Sequence, residues 1–177
     1  LQQKVDEQAR AKSIQQATKL YNSAQPIAGT LAEKYLGNVR DINYGVPIDF
    51  KFVPRCWHKD LRAPKPALLI PAYDANGKLQ SVNRIYLGSD GNKLNMAVKS
   101  PSNRLIQATQ KAVLGPSKAA TVFINKAAGS TVTYLTEGVE NALSVKQSIS
   151  NANISSCFGI GQLKNISLSP ETKTVVI

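Results

Sequence analysis

Hydrophobic and polar residues in the first part of the chain repeat with the spacing of an α-helix. Apolar positions recur from residue 5 to residue 21 without an intervening Pro or Gly, which predicts a helix over Leu1–Asn22. Thr30, followed by Glu33 three residues later, has the spacing of a capping box and opens a second helix over Leu31–Leu36. Gly37 is a usual C-terminal glycine, so we expect the second helix to end there.

The next stretch has the alternation that is typical of β-strands. Asp49–Val53 alternates apolar and polar residues and stops at Pro54, and Pro66–Tyr73 is a mostly apolar run. An Asn-Gly pair at residues 76–77 separates this run from the strand-like Leu79–Leu87. Such a pair between two strand patterns is a strong local signal for a β-hairpin.

The second half of the chain changes character near residue 118. Before that point, residues 92–116 have weak periodicity, and we expect irregular structure with a short helix over Asn103–Val113. After it, strands alternate with helices, which predicts a parallel sheet. The predicted elements are strands Thr121–Ile124, Thr131–Thr136, Ile154–Phe158 and Lys173–Ile177, a helix over Val139–Ile149, and a short helix near Gln162–Leu168.

These patterns predict the fold class and its division. We expect an α+β N-terminal region of helices and an antiparallel hairpin, followed by a partial α/β parallel sheet. The divisions are a helix and linker over residues 1–25, an α+β region over 26–117, and the start of an α/β domain over 118–177. A chain of 177 residues can bury a sound core as one domain or one and a half.

Composition bounds the cellular setting. No apolar run approaches the roughly 18 residues needed to span a bilayer, and the N-terminus has no secretory pattern. The sequence does not start with Met, which suggests a piece of a longer polypeptide. Cys56 and Cys157 are far apart and indicate two reduced thiols. We therefore expect a cytoplasmic protein without membrane insertion.

The charge is unevenly distributed. The net charge is +11, and the whole surplus lies before residue 137. Residues 91–136 contain six basic side chains and no acidic one, which favours a polyanionic partner such as nucleic acid. A lysine-rich surface that only keeps the protein soluble stays open, because the chain has 16 Lys and 6 Arg and bidentate phosphate recognition usually relies on Arg.

Glu137 stands where a predicted strand passes into a predicted helix. In open α/β folds, ligands bind at the carboxyl ends of the strands, so a carboxylate here is a candidate for metal or phosphate chemistry. Alternatively, Glu137 and Glu140 are ordinary acidic residues that interact with the helix dipole. Of the two, Glu140 is the better candidate for a structural bond to a neighbouring loop.

Cys56, Trp57 and His58 raise two further questions. A structural zinc ion needs four ligands, and the chain offers one His and only one other Cys, about a hundred residues away. Zinc is therefore the weaker interpretation. Trp57 and His58 could stack on a nucleotide, or Trp57 could cover the core of the helical segment.

Several segments follow one another along the chain in a recognisable order: Pro26–Thr30, Ala32–Leu36, Phe52–Cys56 with His58, the hairpin, Leu114–Pro116 and Glu137–Ser144. Taken in this order, they resemble the Toprim-domain proteins of the primase-like type found in plasmids, phages and conjugation systems. The resemblance covers roughly Pro26–Ile177, and the order of the segments carries it. Such modules occur in primase-helicases and conjugative relaxases. The resemblance implies a primase-associated region over 26–117 and the start of a Toprim sheet over 118–177.

The resemblance also implies a metal site. In that family a Glu at the end of the first strand acts with an Asp-x-Asp pair at the end of a later strand to hold Mg²⁺, which prefers oxygen ligands. Glu137 then is the metal-binding and catalytic carboxylate, and Gly138 contributes to cofactor binding. The acidic pair should follow Val175–Ile177, where the given sequence stops. We therefore expect Mg²⁺ in the complete parent domain and no complete site in this piece.

The function implied by the resemblance is that of a DNA-binding fragment of a primase-like or conjugative relaxase protein, inactive as a fragment. Whether the parent is an enzyme stays open, and a non-catalytic docking module of a conjugative DNA-transfer protein is the alternative. An Asp-x-Asp just past Ile177 would favour chemistry. Expected partners are single-stranded DNA, other domains of the same polypeptide and a conjugative secretion apparatus, in a bacterial cytoplasm. Expected DNA contacts are Arg55, Trp57, Arg84, Lys93, Lys99, Arg104 and Lys111.

Overall fold

Two large β-sheets, one two-stranded sheet and three α-helices make up the described part of the fold. The computed structural model describes residues 2–100 and 102–177. The helices are α1 (Gln2–Asn22), α2 (Leu31–Lys34), which continues as a π-helix over Tyr35–Val39, α3 (Val139–Ser148), and a 3₁₀ turn over Ile160–Asn165. The strands are β1 (Gln25–Pro26), β2 (Lys51–His58), β3 (Ala63–Tyr73), β4 (Leu79–Tyr86), β5 (Ala97–Lys99), β6 (Leu105–Gln107), β7 (Lys111–Leu114), β8 (Val122–Asn125), β9 (Val132–Thr136), β10 (Asn153–Ser156) and β11 (Thr174–Val176).

The first sheet is antiparallel and has the order β1-β2-β3-β4-β7. Its central strand β3 is apolar on both sides because both faces of the sheet are covered. Leu68 and Ile70 face a core shared with α2 and the second sheet, while Ala67 and Leu69 face a second core that includes Ala17 of α1. The continuous apolar run in the sequence thus reflects a sheet buried on its two faces.

The second sheet is mixed and has the order β11-β9-β10-β8. Strands β10 and β11 both run parallel to β9, and β8 runs antiparallel to β10. Helix α3 connects β9 to β10 and buries Val139, Ala142 and Leu143 against the shared core. An isolated bridge between Tyr73 and Thr121 connects the two sheets. The expected parallel sheet is confirmed for β9, β10 and β11 and is wrong for β8, which runs antiparallel to β10.

The α+β character of the first region, the long first helix and the hairpin at residues 76–77 are confirmed. Thr30 caps α2 by accepting a hydrogen bond from the Ala32 amide, as the capping pattern predicts, and Glu33 accepts from the Gly29 amide. The helix does not end at Gly37, because the π-helix carries the backbone on to Val39.

Two other expectations about local structure are wrong. The helix expected over 103–113 is absent, and β6 and the start of β7 occupy those residues. Strand β7 forms because it pairs with the exposed edge of β4, and such tertiary pairing outweighs a weak local preference. Strand β2 does not stop at Pro54 but continues to His58. Pro54 lies in a register shift between Val53 and Cys56, and proline is tolerated there because the irregular pairing does not need its missing amide donor.

A small two-stranded hairpin of β5 and β6, which we call the arm, stands apart from both sheets. All three residues of β6 are exposed, and Leu105 and Ile106 among them are apolar. Among the described helices, none combines the length and the apolar content needed to cross a membrane.

Candidate functional site

Glu137 lies at the carboxyl end of β9, between two parallel neighbours. Strand β9 ends at Thr136, and its partners β10 and β11 point toward the same edge of the sheet. The side chain of Glu137 is exposed. Its carboxylate makes no hydrogen bond or ion pair with any residue that the structure describes. The carboxylate is therefore available at the edge where α/β folds bind their ligands.

The backbone around Glu137 is held from both sides. The Thr136 hydroxyl donates a hydrogen bond to the Gly138 carbonyl at 2.9 Å, and the Ser156 hydroxyl donates to the Glu137 carbonyl at 3.3 Å. The Cys157 amide donates to the Thr136 carbonyl at 3.2 Å. The turn is thus fixed by strand β10 while the Glu137 side chain stays free.

Gly138 is the N-cap of α3 and adopts an extended backbone with φ −102°. A Cβ atom added there would meet only the Asn141 side chain, at 3.8 Å, which is an ordinary contact. No side chain caps the start of α3. No described neighbour therefore requires glycine at this position. Because glycine has no side chain, it leaves room beside the N-terminus of α3, and helix N-termini favour anions.

Glu140 is the centre of a buried cluster of charges. Its carboxylate lies 2.9 Å from the ammonium groups of both Lys93 and Lys111, and it accepts a hydrogen bond from the Tyr35 hydroxyl at 3.1 Å. The residue is 4% exposed. The cluster joins α3 to three separate parts of the first region, so Glu140 has the structural bond to a neighbouring loop that the sequence suggested.

The charges of this cluster explain its ionisation. Burial by itself would raise the pKa of Glu140, but hydrogen bonds from Lys111 and Lys93 outweigh burial and lower the pKa to about 2. Burial lowers the pKa of Lys93, and the attraction of Glu140 offsets part of that effect. Burial raises the pKa of Tyr35, and the neighbouring carboxylate raises it further. Glu140 therefore stays ionised at neutral pH as the acceptor of the cluster.

A cavity of about 320 Å³ opens beside Glu137 between the two sheets. Asn83 and Lys111 of the first sheet line it on one side, and Glu137, Asn141 and Cys157 line it on the other. The amide oxygen of Asn83 is buried without a hydrogen-bond partner. The cavity is thus bounded by polar groups from both halves of the chain, and its volume lies at the lower end of the range of small-ligand sites.

The residues expected to contact DNA do not all lie on one surface. Lys93 and Lys111 are bound to Glu140, so their charges are partly compensated. The Arg84 guanidinium lies near the Tyr86 ring, and its Nε donates a hydrogen bond to the Ala112 carbonyl. Both contacts are on the side of the sheet that α1 covers, so Arg84 faces away from the Glu137 cavity.

The other four expected contacts are exposed. Arg55 and Trp57 lie on β2, and Trp57 is 60% exposed, which rules out that it covers the helical core. Lys99 and Arg104 are exposed on the arm. Of Trp57 and His58, only His58 is buried, so His58 is not available for stacking on a nucleotide.

Sequence reasoning missed a larger groove. Its volume is about 1120 Å³, and it lies between the π-helix, the start of β3 and residues 87–96. Arg40, Lys93, Met96 and Gln107 are among its lining residues. No local sequence signal joins these segments, because they come together only through the packing of the first sheet.

The structure argues against zinc at His58. His58 Nδ1 accepts a hydrogen bond from the Leu61 amide, and Nε2 lies 2.7 Å from the Thr109 carbonyl, so both ring nitrogens are engaged. Across residues 2–100 and 102–177, no three His, Cys, Asp or Glu side chains come together as a metal-binding group. Cys56 and Cys157 are both buried free thiols.

The chain belongs to a family defined as a domain of unknown function, DUF7146. The family matches residues 11–124, well over half of the chain, and the matched region ends within β8. Glu137 and Glu140 lie beyond the matched region. The three residues that bond to Glu140, namely Tyr35, Lys93 and Lys111, lie within it. No curated protein matches the chain.

Proposed function

We propose that this chain is the DNA-binding part of a primase-like or conjugative relaxase protein of the Toprim lineage. The observation that carries the proposal is the free carboxylate of Glu137 at a sheet edge flanked by parallel strands. The neighbouring acid, Glu140, is bound to two lysines and is thus unavailable for ligands. We therefore assign Glu140 a structural role and Glu137 the role of binding a ligand.

The register of β11 supports the same lineage. Val176 pairs with Tyr134 of β9 in parallel. A residue that continued β11 in this register would lie beside Thr136 and then Glu137. Acidic residues at such positions would meet Glu137 at the same sheet edge, which is the arrangement that the Toprim resemblance implies.

Magnesium fits the described residues only in part. Mg²⁺ is usually bound by one or two carboxylates together with waters and phosphate oxygens. Glu137 supplies one free carboxylate, whereas Glu140 in the same cavity is bound to two lysines. Among the described residues, no group of three metal-binding side chains forms. We therefore propose Glu137 as one ligand of Mg²⁺ in a complete site and assign no reaction step to this chain alone.

Single-stranded DNA is the proposed partner, and its binding is testable. We expect a labelled oligonucleotide to bind the protein weakly in a fluorescence anisotropy titration, since the net charge is +11. With three phosphate contacts, the slope for single strands predicts a loss of about 20-fold in affinity between about 50 mM and 200 mM salt.

Polyglutamate of similar length is the matched polyanion control, because it has charge without bases. Weaker binding of polyglutamate than of DNA supports recognition of nucleic acid. Absence of DNA binding at low salt contradicts the proposal and favours a docking module in its place.

A further inference from the structure

The groove described above carries a more specific inference. It is open to solvent, and Arg40 and Lys65 contribute cations to its lining, whereas the ammonium of Lys93 is paired with Glu140. The acid that lines the groove, Asp90, is engaged with Asn92 in its own turn. Amide side chains, including Gln107, line it as well. Cations for phosphates and amides for base edges suit a single-stranded nucleic acid better than an apolar ligand.

The arm borders this groove. Met96 and Gln107 at the base of the arm belong to the groove lining. Beyond them the arm has exposed cations at Lys99 and Arg104, and Leu105 is 73% exposed. A hairpin that presents both charge and a large apolar side chain can contact phosphates and the faces of unpaired bases together.

Trp57 is the cross-strand neighbour of a residue that lines the groove. It lies directly opposite Pro64 in the β2–β3 pair, and directly opposite residues of an antiparallel pair share a face. Pro64 lines the groove, and the indole of Trp57 is exposed on the same face of the sheet as Pro64. Stacking on an aromatic ring is the usual way in which single strands are held without sequence preference.

The groove also shares a wall with the Glu137 cavity. Tyr35 and Lys93 line the groove, and both bond to Glu140, which lines the cavity beside Glu137. We propose that single-stranded DNA lies in this groove, stacks on Trp57, is covered by the arm, and is led past the Glu140 cluster to Glu137. This inference rests on the proposed function and specifies where the strand binds.

The sole tryptophan makes the groove directly observable. We expect an oligothymidylate of about 12 nucleotides to quench the fluorescence of Trp57 in a saturable way, with the same Kd as anisotropy gives. A Trp57→Ala variant should weaken binding about fivefold or more, because stacking on one base is lost. Far-UV circular dichroism and thermal melting confirm that the variant is folded.

Charge reversal on the arm provides the second readout. The double variant Lys99→Glu and Arg104→Glu should weaken binding about tenfold or more at low salt, since it places two acids beside the strand. The matched control is Lys78→Glu with Lys118→Glu, which makes the same change in net charge at exposed residues outside the groove and the arm. We expect the control to weaken binding by less than about threefold.

The outcomes separate the inference from the function on which it rests. Quenching of Trp57 with a selective loss in the arm variant supports the groove. DNA binding without quenching, or with equal losses in the two double variants, overturns the groove and leaves DNA binding in place. No binding to any single strand at low salt overturns both.

Discussion

The charge cluster at Glu140 gives the sharpest prediction about the fold. Replacing Glu140 with Gln keeps the shape of the side chain but removes the charge that two ammonium groups share. The carboxyl pKa falls from its ordinary 4.5 to about 2, and this difference corresponds to about 3 kcal/mol of stabilisation. The Lys93 and Lys111 side chains are 26% and 41% exposed, so solvent screening reduces the expected loss to about 2 kcal/mol.

The pH dependence follows from the same pKa. In the unfolded chain the carboxyl takes up its proton near pH 4.5, whereas in the folded protein it stays charged down to about pH 2. The stabilisation is therefore complete above pH 5 and is lost progressively as the pH falls toward 2. By about pH 3, more than half of the difference between the wild type and Glu140→Gln should have disappeared.

Urea unfolding followed by far-UV circular dichroism at pH 7 and at pH 3 measures both effects. Glu171→Gln is the matched control, because Glu171 is exposed and should change stability by less than about 0.5 kcal/mol. A Glu140→Gln variant as stable as this control at pH 7, or a loss that does not depend on pH, would refute the buried ionic cluster.

Three further predictions test other parts of the structure. Gly115→Ala should lower the free energy of unfolding in urea by about 3 kcal/mol or more, since φ is +98° and the new Cβ would lie 2.3 Å from the Gln80 carbonyl oxygen. The matched control is Gly129→Ala, where φ is +73° but the space is open, and it should lower that free energy by only about 1 kcal/mol. Tyr35→Phe should cost about 1 kcal/mol by the same measurement, because it removes one hydrogen bond to Glu140, and no loss would place that hydroxyl outside the cluster. Both cysteine thiols should resist a thiol reagent until urea unfolds the protein, because they are buried, and rapid native reaction would contradict that burial.

Local patterns predicted the elements whose formation depends on nearby residues. The capped start of α2 at Thr30 and the hairpin at residues 76–77 follow from short-range hydrogen bonding and backbone preference. The junction of β9 and α3 was also visible, because apolar alternation changes there to helical spacing. The position of Glu137 at a strand end could therefore be read from the sequence.

Features that depend on distant pairing could not be read in this way. Strand β7 exists because β4 offers it an unpaired edge, and β8 is antiparallel because of how it meets β10. The two lysines that neutralise Glu140 lie 47 and 29 positions earlier in the chain and reach it only through the packing of the two sheets. The sequence shows that Lys93 and Lys111 are basic, but it does not show that their acidic partner is Glu140.

Amide hydrogen exchange with and without single-stranded DNA at low salt tests the central claim most directly, since it reports every backbone segment at once. We expect slower exchange on DNA binding in residues 87–96 around the groove, in β5 and β6 of the arm, and at the start of α3 beside Glu137. Protection confined to α1, or protection nowhere although DNA binds, would contradict a strand that runs through the groove to Glu137.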